Sequence, residues 1–167
     1  MKKNNLLRIA SLLSLLLSLV AFYFWNLMTV NPLKVSGNGN LALIIIPLLL
    51  IFMVFLVYGW VQILNKFNLK SSVLVISLIL LGFIFYFGYQ NQANEYVKYK
   101  EYVQQTILNQ DNRSADLEYV QSVTNGILSP YLNNQFFNVT TFLMYIVLSL
   151  SISVLVVLFT KPRFPKA

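Results

Sequence analysis

Four stretches of this chain, 9–30, 41–64, 71–89 and 139–160, are long, apolar and free of Asp, Glu, Lys and Arg. Each reaches the roughly 20 residues that a helix rising about 1.5 Å per residue needs to cross a hydrocarbon layer of about 30 Å. In lipid every backbone N–H and C=O must be paired within the spanning segment, which an α-helix achieves. The expected fold is an all-α integral membrane protein with four transmembrane helices. At 57% hydrophobic and 10% charged residues, the 167-residue chain is too apolar for a water-soluble domain.

The first run follows Lys2, Lys3 and Arg8 and could be mistaken for a signal peptide. It is too long, and its distal end, Phe22, Tyr23, Phe24 and Trp25, is bulky where a cleavage site wants small residues. An aromatic cluster suits a membrane interface, so this run is expected to be retained as the first helix.

The charges then orient the spans. Lys2, Lys3 and Arg8 lie in 1–8, Lys66 and Lys70 in 65–70, and Lys161, Arg163 and Lys166 in 161–167. All five acids, Glu95, Glu101, Asp111, Asp116 and Glu118, lie in 90–138 with only Lys98, Lys100 and Arg113. The positive-inside rule places both termini and the 65–70 loop in the cytoplasm, and 31–40 and 90–138 outside, in a multi-pass plasma-membrane protein of bacterial type. The net charge of +7 is mostly topology. The basic tail is an inside anchor with affinity for anionic headgroups, and no nucleic-acid partner is expected.

The chain has no cysteine and no histidine. Disulfides, thiolate chemistry, cysteine-rich metal sites, the usual haem ligand and a Ser-His-Asp base are thereby excluded. No cofactor, metal or catalytic residue is expected, and the chain is read as a non-enzyme. The segment 111–118 fails as a calcium loop, because Arg113 stands where an oxygen ligand is required and the turn glycine is missing.

Lipid tails supply no hydrophobic force between helices, so packing seams are marked by small and hydroxylated residues. Ser11, Ser14, Ser18 and Ala21 share a face of the first span, Ser149 and Ser153 share a face of the fourth, and the third offers Gly82 and Gly88. These faces are expected to point into the bundle or at a partner. A hydroxyl-lined permeation path is the alternative, weakened by the lack of any charge in the spans. Pro47 is expected to bend the second span.

The stretch 90–138 is too long and too patterned for a simple connector. From 93 to 108 there is no Gly or Pro, and Tyr96, Tyr99 and Val103 fall at helical spacing, so a helix is expected to continue the third span as a rod of about 57 Å. Residues 109–113 suggest a turn and Ser114 an N-cap. Leu117, Val120 and Thr124 share a face of a second helix, ended by Asn125-Gly126. An α-helical extracytoplasmic hairpin between the third and fourth spans is the expectation. Tyr96, Tyr99, Tyr102, Val103 and Tyr119 are its candidate partner-binding residues, beside Ser11, Ser14, Ser18, Ser149 and Ser153 in the spans; tyrosines suit interfaces by burying area while keeping a polar tip. The triplets at Asn112 and Asn138 match a glycosylation pattern, the second uncomfortably near the membrane.

A short first outer loop and a long second one resemble the tetraspanin layout. That family's large loop depends on a cysteine framework, which this chain lacks, so its fold and partner rules do not carry over. The function expected is an accessory or structural subunit that binds a larger membrane-protein partner, or a second copy of itself, through the small-residue faces and the tyrosine-rich hairpin. The alternatives are a bacterial immunity or regulatory protein recognising a peptide or toxin at the outer face, and an oligomeric pore or transport component.

Overall fold

The structure, a computed structural model, describes residues 2–34, 40–109 and 117–160. Among these the regular structure is entirely helical, and four helices are long and apolar enough to cross a membrane. The expected turn at Asn109 to Arg113, the N-cap at Ser114, the triplet at Asn112 and the basic tail fall wholly or mostly outside the described residues.

Helix α1 is Lys2–Leu27. A single 3-10 turn, Leu41–Ile44, leads directly into α2, Ile45–Phe67. Pro47 therefore sits in the first turn of α2, the part of a helix that tolerates proline best. The lead-in is capped by Asn40, whose side-chain oxygen accepts from the Ala42 N–H at 3.0 Å. Asn68 ends α2 in the left-handed conformation at φ 43°, which asparagine tolerates better than most residues.

After a three-residue turn, α3 runs unbroken from Ser71 to Leu108, with no proline to stop it and only Gly82 and Gly88 to weaken it. Helix α4 is Leu117–Val123, and Gly126 follows at φ 54° as the positive-φ stop that its sequence suggested. The rest of 90–138 is more broken than two helices. Two short 3-10 turns, Gly126–Leu128 and Pro130–Leu132, precede the one-turn helix α5, Asn133–Phe136.

The last long helix, α6, is Val139–Thr160. It opens with a reciprocal cap in which Asn138 Oδ1 accepts from the Thr141 N–H at 3.0 Å and Thr141 Oγ1 accepts from the Asn138 N–H at 2.9 Å. Asn138 is thus a capping residue; its Nδ2 also donates to the Asn134 carbonyl and to Gln92 Oε1.

Within the bundle α2 and α6 form the central pair and run parallel, as the paired contacts Leu49 with Tyr145 and Val57 with Ser153 require. Helix α1 packs antiparallel on α2 and α3 antiparallel on α6. Buried residues divide into three clusters. Phe22, Leu49, Leu56, Phe137 and Tyr145 join α1, α2 and α6; Leu74, Val154 and Val157 close the opposite side near the 65–70 turn. The third is separate: Val103, Ile107, Val120, Tyr131 and Leu132 form the core of a small cap beyond the bundle, built by the distal third of α3, by α4 and by the turns that follow.

Candidate functional site

Of the hydroxylated residues singled out in the spans, Ser14, Ser18, Ser149 and Ser153 are buried and Ser11 is half-buried. The hydroxyls of Ser18, Ser149 and Ser153 are occupied by the chain itself. Ser18 Oγ donates to the Ser14 carbonyl at 2.8 Å and lies 3.3 Å from the Tyr145 hydroxyl. Ser153 Oγ donates to the Ser149 carbonyl and reaches the Val57 carbonyl on α2 at 3.2 Å, while Ser149 Oγ donates to the Ile146 carbonyl. Self-satisfied hydroxyls of this kind let backbones approach without leaving a polar group in an apolar interior.

The glycine that matters most to this packing is Gly59 on α2, which is buried. A Cβ built there would collide with the Ser11 hydroxyl and stand 2.7 Å from the Ser11 Cβ. Gly88 faces Met144 on α6, whereas Gly82 looks outward onto open space.

In the cap, Val103 is fully buried and Tyr96 and Tyr99 are half-buried against the cap core. Tyr102 is 57% exposed, and the side chain of Tyr119 lies outside the described residues. The tyrosines therefore divide between holding the cap together and presenting a surface.

Between α3 and α4 opens a cleft of about 680 Å³. Its α3 wall carries Tyr96, Lys100 and Gln104 at successive helical turns, with Val97 and Glu101 beside them. Its α4 side carries Glu118, Gln121, Ser122 and Asn125. Spacings of three and four put each set on one helix face. On the neighbouring face of α3, Val103 and Ile107 point into the cap core, so burying one stripe aims the polar stripe into the cleft. Gln104 Nε2 donates to Thr124 Oγ1 at 2.9 Å, and the buried Thr124 hydroxyl donates to the Val120 carbonyl, which ties the two walls together.

The cleft thus presents an ammonium, two carboxylates and several amides beside an aromatic ring, with donors and acceptors in similar number. Among the described residues no three His, Cys, Asp or Glu side chains converge as a metal cluster would require.

A buried polar junction fastens the cap to the bundle, and the sequence reading did not single it out. Asn40 Nδ2 donates to Asn133 Oδ1 and to the Ile127 carbonyl, each at 2.8 Å. Asn26 Nδ2 donates to the Phe137 carbonyl at 2.7 Å and Tyr131 Oη to the Lys34 carbonyl at 3.0 Å, both part-buried, and within the bundle Trp25 Nε1 donates to the Ala42 carbonyl at 3.0 Å. Gln92 on α3 donates to the Gln135 carbonyl at 2.8 Å. The available signal was the run of amides at 133–138 together with an asparagine placed just before an apolar stretch.

No protein-family model, curated protein or solved structure matches the chain.

Proposed function

We propose that this chain is a non-catalytic multi-pass membrane protein whose cap, held outside the hydrocarbon layer, receives a polypeptide segment of a partner protein in the cleft between α3 and α4. The observation that carries the proposal is the cleft itself, a mixed-charge groove braced on both sides, on a molecule whose remaining long helices expose mainly apolar side chains.

Insertion in a bilayer is supported by those exposed side chains. Leu12 and Leu16 on α1, and Ile76, Phe83 and Phe87 on α3, are more than half exposed, and α3 is the least covered of the four long helices. Faces that apolar have a lipid environment as their ordinary solvent. The basic residues at the opposite end from the cap favour the cap lying on the extracytoplasmic side.

A polypeptide suits the cleft better than nucleic acid or a headgroup layer, because Glu101 would repel a polyanion while Lys100 and the amides supply the donors that peptide carbonyls need. With Ser18, Ser149 and Ser153 engaged inside the bundle, recognition rests on the cap rather than on the spans.

A photo-crosslinking amino acid at Val97 or at Gln121 tests this in the full chain in its host membrane. Both positions should yield the same discrete adduct, and mass spectrometry of it identifies the partner. Adducts no different from those formed at lipid-facing Phe83 would remove the proposal.

A further inference from the structure

At the basic end of the bundle, on the side of the Ser11–Gly59 contact away from the cap, α1 and α2 leave a crevice of about 320 Å³. Leu12, Ile63 and Phe67 form its apolar walls. Arg8, one turn before Leu12 on α1, and Lys66, one turn beyond Ile63 at the end of α2, stand at its rim. Both cations are on exposed residues. The chain has no Asp or Glu before Glu95, so neither α1 nor α2 supplies a counter-ion to them.

Two cationic side chains above a greasy slot match a phosphodiester joined to a hydrocarbon chain. A guanidinium offers paired donors to phosphate oxygens, and an ammonium adds a compact charge. Basic pockets between membrane helices are recognised sites for anionic headgroups. We propose that this crevice holds one anionic phospholipid, its phosphate between Arg8 and Lys66 and an acyl chain along Leu12, Ile63 and Phe67. This rests on the four long helices lying in a bilayer with the basic end at a headgroup layer, and it is independent of what the cap binds.

The full chain in mild detergent, titrated with phosphatidylglycerol and with phosphatidylcholine of the same acyl chains and read by native mass spectrometry, tests the site. Phosphatidylglycerol is retained in preference, and the double variant Arg8→Gln, Lys66→Gln weakens its retention roughly 30-fold. Arg8→Lys keeps most of the preference. The control pair Lys34→Gln, Lys98→Gln, at exposed positions toward the cap end, leaves it unchanged.

Leu12→Trp, which fills the slot while sparing both cations, also lowers retention. Equal retention of the two lipids overturns the proposal, as does equal loss in the control pair. Retention unaffected by Leu12→Trp overturns it too, since the cations would then be acting as a bare headgroup patch. Failure of membrane insertion shows separately, in the cysteine-labelling pattern described below.

Discussion

The Tyr145 hydroxyl on α6 donates to the Leu49 carbonyl on α2 at 2.9 Å while its oxygen lies 3.3 Å from Ser18 Oγ on α1, so one phenol ties its own helix to two others. Its ring is wedged against Phe22, 5.8 Å away between centroids, and Phe22 in turn meets Phe137 and Phe142 edge-on.

Tyr145→Phe keeps that ring and deletes the hydroxyl. Between membrane helices such hydrogen bonds average about 0.6 kcal/mol and reach about 1.7 kcal/mol. The variant should lose an amount in that range in a detergent unfolding titration followed by helicity. No loss at all would show that the phenol is only a packing group.

The glycines make a prediction with opposite signs. Gly59→Ala places a methyl group into Ser11 and should destabilise the α1–α2 pair by about 1–3 kcal/mol, as overpacking does. Gly82→Ala meets open space on a helix and should stabilise it by about 0.5–1 kcal/mol. Thermal unfolding of the two variants side by side decides the matter, and equal effects would contradict the packing described.

Asn40 and Asn133 bond to each other across the junction between bundle and cap, both nearly fully buried. Removing either leaves a buried amide short of a partner, at about 1–3 kcal/mol. Asn40→Ala, Asn133→Ala and the double variant form a cycle whose coupling should exceed about 0.5 kcal/mol. Protease sensitivity around 127–133 should rise in each single variant. Strict additivity would mean that the two amides act separately.

Because the chain contains no cysteine, single cysteines report topology without background. Gln121→Cys in the cap should react with a membrane-impermeant maleimide on intact cells, and Asn65→Cys near the end of α2 only after permeabilisation. The reverse pattern would place the cap in the cytoplasm, and labelling of both on intact cells would contradict insertion of α2.

Much of the architecture followed from local properties. An uncharged apolar run of spanning length becomes a helix wherever it finds lipid, since its own backbone supplies all its hydrogen bonds, and the run of α3 through to Leu108 follows from the absence of Gly and Pro between Tyr89 and Leu108. The serine periodicity on α1 likewise marked a face that the bundle does bury at Ser14 and Ser18.

Partner choice between helices was the work of tertiary structure. Nothing local distinguishes Gly59, pressed against Ser11, from Gly82, which faces open space, because the difference lies in which helix sits opposite. The amide junction joins residues as distant as Asn40 and Asn133, and the cleft exists only because burying Val103 and Ile107 turns Lys100 and Gln104 toward α4. By itself the sequence determined four spanning-length helices and the end of the bundle that carries positive charge. The order of those helices, the glycine that matters and the surface left open were decided by long-range packing, where close approach depends on the shape of the neighbour and not on the residue alone.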